Sequence, residues 1–353
     1  MRNLKFCAFG EINLTDKFFD SLKEDYKEFE EWFEKKSLAH DKAYVFYTAK
    51  NDIEGFLYLK IEEGAVIDIA PNLPEGKHLK VGTLKINPHG TRLGERFVKK
   101  ILDHAVTENV DNIYLSVFAK HEALINLIKV FGFEVKGEKV TENGKELVLI
   151  RNMREISNDV LKDYPYILKN SGSAYLLAIW PQYHTKFLPD SKLYNESYDL
   201  IEDVSFTNSI HKVFISGVSG AGKLKPGDRL VIYRTSKGEK GKAYFRSVAT
   251  SICVVNEVRR IESFKTQAEF IKYVKAYSVY SMEELINQYQ NKKKRIVIKF
   301  TYNAALEKRI IRKLLLEEVG ISEQPRWDFR KIDQGKFNKI LSIGNLNENF
   351  VVN

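Results

Sequence analysis

Residues 87–96 combine glycine with polar side chains, between an apolar segment and a run with helical spacing. The glycines are Gly90 and Gly94, and the apolar segment ends at Leu84 and Ile86. A loop that enters a helix in this way leaves unpaired backbone N–H groups at the positive end of the helix dipole. Such groups bind phosphate, and glycine lets the backbone come close to it. The pattern predicts a strand, a pyrophosphate-binding turn and a helix with apolar positions at Phe97, Val98, Ile101, Leu102 and Ala105.

Several flanking segments must hold this loop in place. Residues 43–49 and 55–61 are apolar runs separated by a turn, which predicts a β-hairpin. Residues 16–36 precede it as a charged amphipathic segment, which predicts a helix. Residues 113–118 predict a further strand after the loop. The mixture of strand and helix patterns predicts an α+β fold for this part of the chain.

The loop resembles motif A of the Gcn5-related N-acetyltransferases, in which Arg/Gln-x-x-Gly-x-Gly/Ala opens a helix. His89 stands at the first position of that pattern, Arg92 at the first glycine and Gly94 at the last. A second resemblance ends in residues 130–134, where Gly-Phe precedes the next strand as it does in the family. The resemblance covers about residues 1–150 and implies a mixed sheet flanked by helices.

This resemblance implies acetyl-coenzyme A as the cofactor and transfer of its acetyl group to an amine. The loop would hold the pyrophosphate, and the strand before it would hydrogen-bond the pantetheine arm. The residues expected to bind the cofactor are Leu84, Ile86, Gly90, Thr91, Arg92, Leu93, Gly94, Glu95 and Arg96. No metal is expected at this site.

The proton donor to the coenzyme A thiolate differs from the one that the family uses. Ile128 stands where many relatives have a tyrosine, and isoleucine cannot donate a proton. Either another side chain is the donor, or the thiolate leaves with help from water. The candidate donors are Tyr114, Ser116 and His121, which lie on or just after the strand that faces the cofactor. The alternatives are that Tyr114 is a half-buried strand residue and His121 a surface residue.

The general base is expected at the ends of neighbouring strands. Glu62 is the candidate, with Glu63 beside it and His78 at the start of the next strand as alternatives. The competing interpretation is that these side chains only contact solvent. Backbone donors that hold the thioester oxygen would supply much of the rate in either case.

The composition is that of a folded protein that works under reducing conditions. Hydrophobic residues make up 44% of the 353 residues, enough for two domains with separate cores. Cys7 and Cys253 are the two cysteines, which excludes a disulfide framework and a cysteine-based zinc site. No apolar run reaches the length of a membrane span, and the first residues lack a signal-peptide core. We expect a cytoplasmic protein without a membrane partner.

Charge is divided unevenly along the chain. Residues 1–150 carry 22 Lys and Arg against 25 Asp and Glu, whereas the whole chain has a net charge of +9. The later part is therefore strongly basic, which favours a polyanionic partner such as RNA or a ribonucleoprotein. The alternative is a lysine-rich surface without a partner. The polar residues 152–172 predict a linker between a domain at residues 1–151 and another at residues 173–353.

The second domain has a mixed pattern. Strands are predicted at residues 174–180, 213–215, 229–234, 244–254 and 296–301, and helices at residues 266–274, 282–288 and 305–318. Residues 226–229 (PGDR), which lead to residues 233–235 (YRT), resemble a turn and strand of the PUA-like superfamily, which includes the ASCH and EVE domains. The resemblance implies a small β-barrel with helices that recognises RNA or a modified base in a cleft.

Residues 217–223 match the nucleotide-binding pattern Gly-x4-Gly-Lys, but their surroundings argue against a nucleotide site. Leu224 replaces the hydroxyl residue that binds magnesium, and Pro226 prevents a continuing helix. RNA contacts are expected instead from aromatic rings that stack on bases and from cationic side chains. The candidates are Trp180, Tyr183, Tyr233, Arg234, Arg246 and Lys293.

These observations predict an acetyl-coenzyme A dependent N-acetyltransferase joined to a PUA-like module that recruits RNA or a ribonucleoprotein. A toxin-like enzyme that acetylates aminoacyl-tRNA is one version of this function. A second interpretation is a protein N-acetyltransferase, whose acceptor is a lysine side chain or an N-terminus. A third is a non-catalytic acyl-coenzyme A sensor or RNA-binding adaptor.

Overall fold

The structure is a computed structural model, and it describes residues 3–198, 201–236, 243–291 and 296–353. The chain divides into two compact units, residues 1–158 and residues 159–353. In the described ranges, no helix combines the length and the apolar character needed to cross a membrane.

The first unit is a seven-stranded mixed sheet flanked by helices, which confirms the predicted α+β class. Its strands are β1 (Leu4–Ala8), β2 (Lys42–Tyr47), β3 (Ile53–Glu63), β4 (Lys77–Ile86), β5 (Asn112–Phe118), β6 (Glu134–Thr141) and β7 (Gly144–Asn152). Its helices are α1 (Asp20–Asp25), α2 (Phe29–Leu38), α3 (Leu93–Thr107) and α4 (Glu122–Lys129). The strand order is β1-β2-β3-β4-β5-β7-β6. β4 and β5 run parallel, and the other ladders of this sheet are antiparallel.

A parallel pair of strands needs a crossover connection, and α3 supplies it between β4 and β5. The buried face of α3 includes Phe97, Val98, Ile101 and Leu102, at the predicted spacing. The helix packs closely on the sheet at Gly55, where an added Cβ would stand 2.4 Å from the Phe97 ring. This packing fixes the N-terminus of α3 at the end of the glycine loop that follows β4.

Residues 16–36 do not form the single helix that the sequence predicts. Asp16 accepts a hydrogen bond from the Phe18 N–H and begins a short 3-10 turn, after which α1 and α2 are separate helices. Tyr26 adopts an extended backbone conformation that ends α1. The break allows the Tyr26 hydroxyl to donate a hydrogen bond of 2.7 Å to Glu146 on β7.

The second unit is a six-stranded mixed sheet surrounded by helices, with a separate strand pair. Its strands are β8 (Ile167–Leu168), β9 (Ala174–Ile179), β10 (His211–Ser216), β11 (Arg229–Arg234), β12 (Val248–Arg260), β13 (Ile296–Ile311), β14 (Phe329–Ile332) and β15 (Val351–Val352). Its helices are α5 (Pro181–Phe187), α6 (Ser205–Asn208), α7 (Ala243–Arg246), α8 (Gln267–Val274), α9 (Met282–Asn291), α10 (Arg312–Glu317) and α11 (Gln334–Ile343). The order is β10-β13-β12-β11-β9-β14, and β8 pairs with β15. Among the residues with described structure, the edge strands β10 and β14 do not pair, so a closed barrel is not seen.

The helix predicted over residues 305–318 is wrong in its first half. β13 continues to Ile311, which pairs with Val248 at the start of β12, and helical structure is confined to α10. Residues 305–309, Ala-Leu-Glu-Lys-Arg, favour a helix in isolation. Pairing with β12 at residues 304–305 and again at residues 310–311, on the two sides of an irregularity in the ladder, overrides that local preference.

Two other segments of this unit can be compared with their sequence predictions. The strand predicted over residues 244–254 begins only at Val248, because α7 occupies the preceding residues. The glycine-rich residues 217–223 form a loop with a 3-10 turn, and Leu224 after it is extended. No helix follows this loop directly, in agreement with the interpretation that it is not a nucleotide-binding loop.

Residues 159–168 take part in the fold of the second unit. Tyr164 is fully buried, and its hydroxyl donates a hydrogen bond of 2.9 Å to the Tyr302 carbonyl. The side chain of Asn303 donates hydrogen bonds to the carbonyls of Pro165 and Tyr166. The short parallel pairing of β8 with β15 follows immediately.

Candidate active site

β4 and β5 separate after their first residues. Residues 78–80 pair with residues 112–114, and the described structure shows no further ladder between the two strands. From Val81 and Leu115 onward both strands border a cavity of about 280 Å³. The other residues that line it include Leu22, Asp25, Tyr26, Glu28, Phe29, Trp32, His121, Leu124, Lys139, Thr141, Asn143 and Glu146. A ligand in this wedge can reach backbone groups that strand pairing would otherwise occupy.

A β-bulge lies in β4 where the strands separate. Tyr58 of β3 pairs with Thr83, and the next residue, Leu59, pairs with Val81, so Gly82 is an extra residue in β4. A bulge bends its strand and increases the local twist, which accounts for the separation from β5. Glycine is required at this position, because an added Cβ would stand 2.7 Å from Cδ1 of Tyr58.

The glycine loop follows β4 and ends at the N-terminus of α3. Gly90 has φ of +79° and Arg92 has φ of +57°, both in the left-handed region. Thr91 Oγ1 lies 2.9 Å from His89 Nε2, and Arg92 forms an ion pair of 2.6 Å with Glu95 in the first turn of α3. The loop therefore has a defined shape, next to the N–H groups at the positive end of the helix.

The two glycines of the loop have different surroundings. An added Cβ at Gly94 would stand 2.7 Å from Leu127 of α4 and 3.8 Å from Ile86, so Gly94 allows close packing of the helix. A Cβ at Gly90 would meet no atom within 4 Å. Gly90 is therefore the open position of the loop. Of the predicted strand residues before the loop, Leu84 lines the cavity.

A buried carboxylate forms part of the cavity wall. Glu146 is 3% exposed and accepts hydrogen bonds from the Tyr26 hydroxyl at Oε1 and from Ser116 at Oε2, at 2.7 and 2.9 Å. Burial and the hydrogen bond to Glu146 raise the pKa of Tyr26 far above its usual value, so its hydroxyl stays protonated. The neighbouring Lys145 forms its ion pair with Glu138 instead.

Two further carboxylates border the cavity. Asp25 pairs with Lys120 and lies 3.4 Å from Nε2 of His121. Glu28 accepts hydrogen bonds of 2.8 and 2.9 Å from the neutral side chain of Asn143. The carboxylates of this region thus differ in whether a cation balances them.

Tyr114 and Glu62, two of the predicted catalytic residues, bind each other. The Tyr114 hydroxyl donates a hydrogen bond to Glu62. Burial, followed by this hydrogen bond, raises the pKa of Tyr114 far above its usual value. Burial also acts to raise the pKa of Glu62, but hydrogen bonds from Lys60 and Tyr114 outweigh it and the net pKa is lowered. Of the four predicted catalytic residues, Ser116 and His121 line the cavity, whereas Tyr114 and Glu62 do not.

Sequence reasoning missed Tyr26 and Glu146. Glu146 shares the inward phase of β7 with the buried residues Val148 and Ile150. A carboxylate in the inward phase of a strand is a signal that the sequence carries, because ionised side chains are rarely buried without a reason. Tyr26 had no comparable signal, because it lay within a segment that was predicted to be one helix.

Trp180, Phe245 and Arg246 lie at one end of the sheet in the second unit. Arg234 of β11 pairs with the last residue of β9 and the first residue of β12. Trp180 directly follows β9, and α7, which carries the other two residues, directly precedes β12. Trp180 and Phe245 are 63% and 62% exposed, and Arg246 is exposed as well. The predicted RNA contact Lys293 lies outside the described residues.

Three of the predicted RNA contacts, Tyr183, Tyr233 and Arg234, are partly or fully buried in the second unit. Tyr233 is 2% exposed and packs on Trp327 with ring centroids 5.1 Å apart. Arg234 forms an ion pair of 3.0 Å with Glu196. Tyr183 is partly buried and donates a hydrogen bond of 2.7 Å to a glutamate of α9. In this conformation these rings and this guanidinium contribute to packing within the unit.

No protein-family model matches the chain, and a comparison with curated proteins finds no match either. Among solved structures, ASCH from Zymomonas mobilis is 10% identical, with 48% of this chain and 95% of that chain covered and a TM-score of 0.33. The NatC complex bound to Gag peptide and CoA is 16% identical, with 42% and 98% covered and a TM-score of 0.30. A putative phosphinothricin N-acetyltransferase is 14% identical, with 43% and 98% covered and a TM-score of 0.32. Each likeness is at low identity and concerns less than half of this chain.

Proposed function

We propose that the chain is an acetyl-coenzyme A dependent N-acetyltransferase with its active site in the first unit. The observation that carries the proposal is the wedge between β4 and β5. It opens at the Gly82 bulge and is followed along β4 by a glycine loop at a helix N-terminus. Coenzyme A combines an amide-containing arm with a pyrophosphate, and the two parts of this arrangement match those two chemical groups.

The residues present fit coenzyme A. Beyond the bulge, the backbone of residues 81–84 borders the cavity and can hydrogen-bond the amides of a pantetheine arm. The space beside Gly90 is open, and α3 begins three residues later at Leu93, where its first N–H groups favour a pyrophosphate. Bound acetyl-coenzyme A would supply a thioester, whose C–S bond breaks as a C–N bond to the amine forms, with the electron pair and a proton going to sulfur.

The chain's own residues would position the amine and move this proton. Backbone donors on the separated strands can polarise the thioester carbonyl as negative charge develops on its oxygen. Phe29 and Trp32 form an apolar wall that limits water in the cavity. Ser116 and His121 are the predicted candidates that reach the cavity, and we propose them as the groups that move the proton to the leaving sulfur.

Calorimetric titration of the full chain with coenzyme A tests this proposal. We expect saturable binding, and Thr91→Glu should weaken it about tenfold or more because its carboxylate repels the phosphates at the loop. Thr91→Gln is the matched control, since it loses the same contact with His89 without adding a charge. Absence of binding by the intact chain, or equal losses in the two variants, would overturn the proposal.

We further propose that the second unit recruits RNA or a ribonucleoprotein that carries the acceptor. The support is the exposed set of Trp180, Phe245 and Arg246, since rings beside a cation are what stacking on unpaired bases uses. The later part of the chain also holds the excess of positive charge. Acetylation of a protein without RNA, or acyl-coenzyme A sensing without transfer, are the alternatives. Retained coenzyme binding with no turnover on any amine would identify a sensor.

A further inference from the structure

We infer that Glu146 binds the acceptor, and that the acceptor is an aliphatic primary amine that enters the cavity with a positive charge. This inference rests on the proposed acetyl transfer, because it concerns the same cavity. It follows from the burial of Glu146, from the neutral character of its partners and from the charges and apolar surfaces around it.

Glu146 is a buried carboxylate whose partners in the described structure are both hydroxyl groups. It is 3% exposed and accepts one hydrogen bond from Tyr26 and one from Ser116. A buried carboxylate is costly unless a cation pairs with it. Each carboxylate oxygen can accept a second hydrogen bond, so Glu146 retains acceptor capacity. A cationic donor in the cavity would satisfy both its charge and that capacity.

The lysines that line the cavity are engaged with another carboxylate. Lys139 pairs with Asp68 at 2.6 Å, and Lys80 lies 3.7 Å from the same side chain. Glu28, on the exposed side of the cavity, has a neutral asparagine as its partner. The lining therefore presents negative charge at Glu28 and at Glu146, one exposed and one buried.

The apolar part of the cavity lining suits the carbon chain of an amine. Leu22, Phe29 and Trp32 line the cavity and offer apolar surface to methylene groups. A lysine side chain and a small diamine both combine such methylenes with a terminal ammonium group. The amino group of a nucleobase is neutral at pH 7, so it would leave Glu146 without a cation. The cavity therefore favours an aliphatic amine over an RNA base as the acceptor.

The ammonium must lose a proton before it reacts, and Glu146 is placed to receive it. Transfer of this proton to the carboxylate leaves a neutral amine, which is the nucleophilic form. The nitrogen lone pair then forms the C–N bond, and the C–S bond breaks with its electron pair on sulfur. A second nitrogen proton neutralises the thiolate, and Glu146 later releases its proton to solvent.

Calorimetric titration of the full chain, saturated with unacetylated coenzyme A, tests the inference without turnover. The probes are 1,5-diaminopentane and Nα-acetyl-lysine amide, with 1,5-pentanediol as a neutral compound of similar length. We expect at least one amine to bind and the diol not to bind. Glu146→Gln should weaken amine binding about tenfold or more, because a charged hydrogen bond is lost. Preference for one of the two amines would separate a free diamine from a protein side chain as the source.

Glu142→Gln is the matched control, since it removes an exposed carboxylate from the adjacent β6–β7 turn. Glutamine at position 146 keeps the shape of the side chain, and unchanged affinity for coenzyme A checks that the fold is retained. Equal amine binding by Glu146→Gln and the intact chain contradicts the inference. The inference is also contradicted if the intact chain binds coenzyme A but binds neither amine. In both of those cases the proposed acetyl transfer stands. Absence of coenzyme A binding removes the proposed function and the inference with it.

Discussion

Gly82 lies so close to Tyr58 that a Cβ at position 82 would stand 2.7 Å from the ring. Tyr58 is 5% exposed, packs edge-on against Phe9 and Trp32, and donates a hydrogen bond of 2.7 Å to Asp41. These contacts hold the ring in place. The bulge that opens the cavity therefore depends on a glycine in β4 that faces a fixed ring in β3.

Gly82→Ala should destabilise the first unit and close or distort the wedge. Because the Tyr58 ring cannot move freely, we expect a loss of about 1–3 kcal/mol in the free energy of unfolding, as for overpacked cores. We also expect weaker binding of coenzyme A. Urea unfolding and calorimetry measure the two effects.

Gly94→Ala is the control for this prediction. Its Cβ would also stand 2.7 Å from a neighbour, but that neighbour is the flexible end of the partly buried Leu127. Alanine also favours the helix by up to about 1 kcal/mol relative to glycine, which offsets part of the crowding. Losses of equal size in the two variants would contradict the view that Tyr58 is the fixed partner.

Tyr114→Phe should affect stability more than acetyl transfer. The Tyr114 hydroxyl donates a hydrogen bond to Glu62. The residue is 1% exposed and does not line the cavity. We expect a loss of about 1–2 kcal/mol in the free energy of unfolding, with kcat nearly unchanged. Ser116→Ala should lower kcat, and it should also cost about 1–2 kcal/mol of stability because the buried Glu146 loses a hydrogen bond. Loss of transfer in a stable Tyr114→Phe variant would instead identify Tyr114 as the acid.

Trp180→Ala should weaken RNA binding by the second unit. Stacking of one base on an aromatic ring contributes about 1–3 kcal/mol, and Trp180 is exposed at the end of β9. Fluorescence anisotropy of a labelled single-stranded RNA with the full chain measures the change. An intact chain that does not bind the RNA, or a Trp180→Ala variant that binds it equally well, argues against the RNA proposal.

Tyr233→Phe is the matched control for RNA binding. It removes a buried hydroxyl that has no hydrogen-bond partner among the described residues, from a ring that packs on Trp327. We expect RNA affinity to be unchanged. The free energy of unfolding should be unchanged or higher by about 1 kcal/mol, since an unsatisfied polar group is lost.

Acid should destabilise the second unit through His184. This residue is fully buried, and Nε2 lies 2.8 Å from Thr250 Oγ1. Burial, with smaller effects of Arg234 and Arg309, lowers the pKa of His184 to about 3. In the unfolded chain its pKa is about 6.5, so between these values the unfolded state binds a proton that the folded state does not. The free energy of unfolding then falls with falling pH, by up to about 1.4 kcal/mol per pH unit.

His184→Gln should remove this contribution, because glutamine does not titrate and can still reach the Thr250 hydroxyl. Trp32→Phe provides the background for the measurement, since it leaves Trp180 and Trp327 of the second unit as the fluorescent reporters. Urea unfolding at a series of pH values then gives the slope of the free energy of unfolding against pH. An identical slope with and without His184 would show that other groups cause the acid sensitivity.

The sequence pattern predicted an element correctly where the conformation favoured by its own residues is also the one favoured by its contacts in the fold. β11 spans the residues that the sequence predicts, because a run of apolar and aromatic residues after a Pro-Gly-Asp turn leaves few alternatives. The glycine loop and α3 likewise follow from spacing. Residues 305–311 could not be predicted in this way, because a partner strand distant in sequence, and not their composition, makes them a strand.

The candidate site was predictable only in part, for a similar reason. The residues of the loop and of β4 are continuous in sequence, so a motif can indicate them. Tyr26 and Glu146 are 120 positions apart and meet only after the break between α1 and α2 brings the tyrosine to β7. Ser116 lies in a predicted strand, but its contact with Glu146 depends on the pairing of β5 with β7, which are distant in sequence.

The contacts of residues 159–168 determine at which residue a fragment containing only the second unit should begin. A fragment that starts at residue 173 would leave the Tyr302 carbonyl without the Tyr164 hydroxyl and Asn303 without two backbone acceptors. It would also leave β15 without its partner strand. A fragment that starts at residue 159 encodes all three of these interactions and is the better choice for expression.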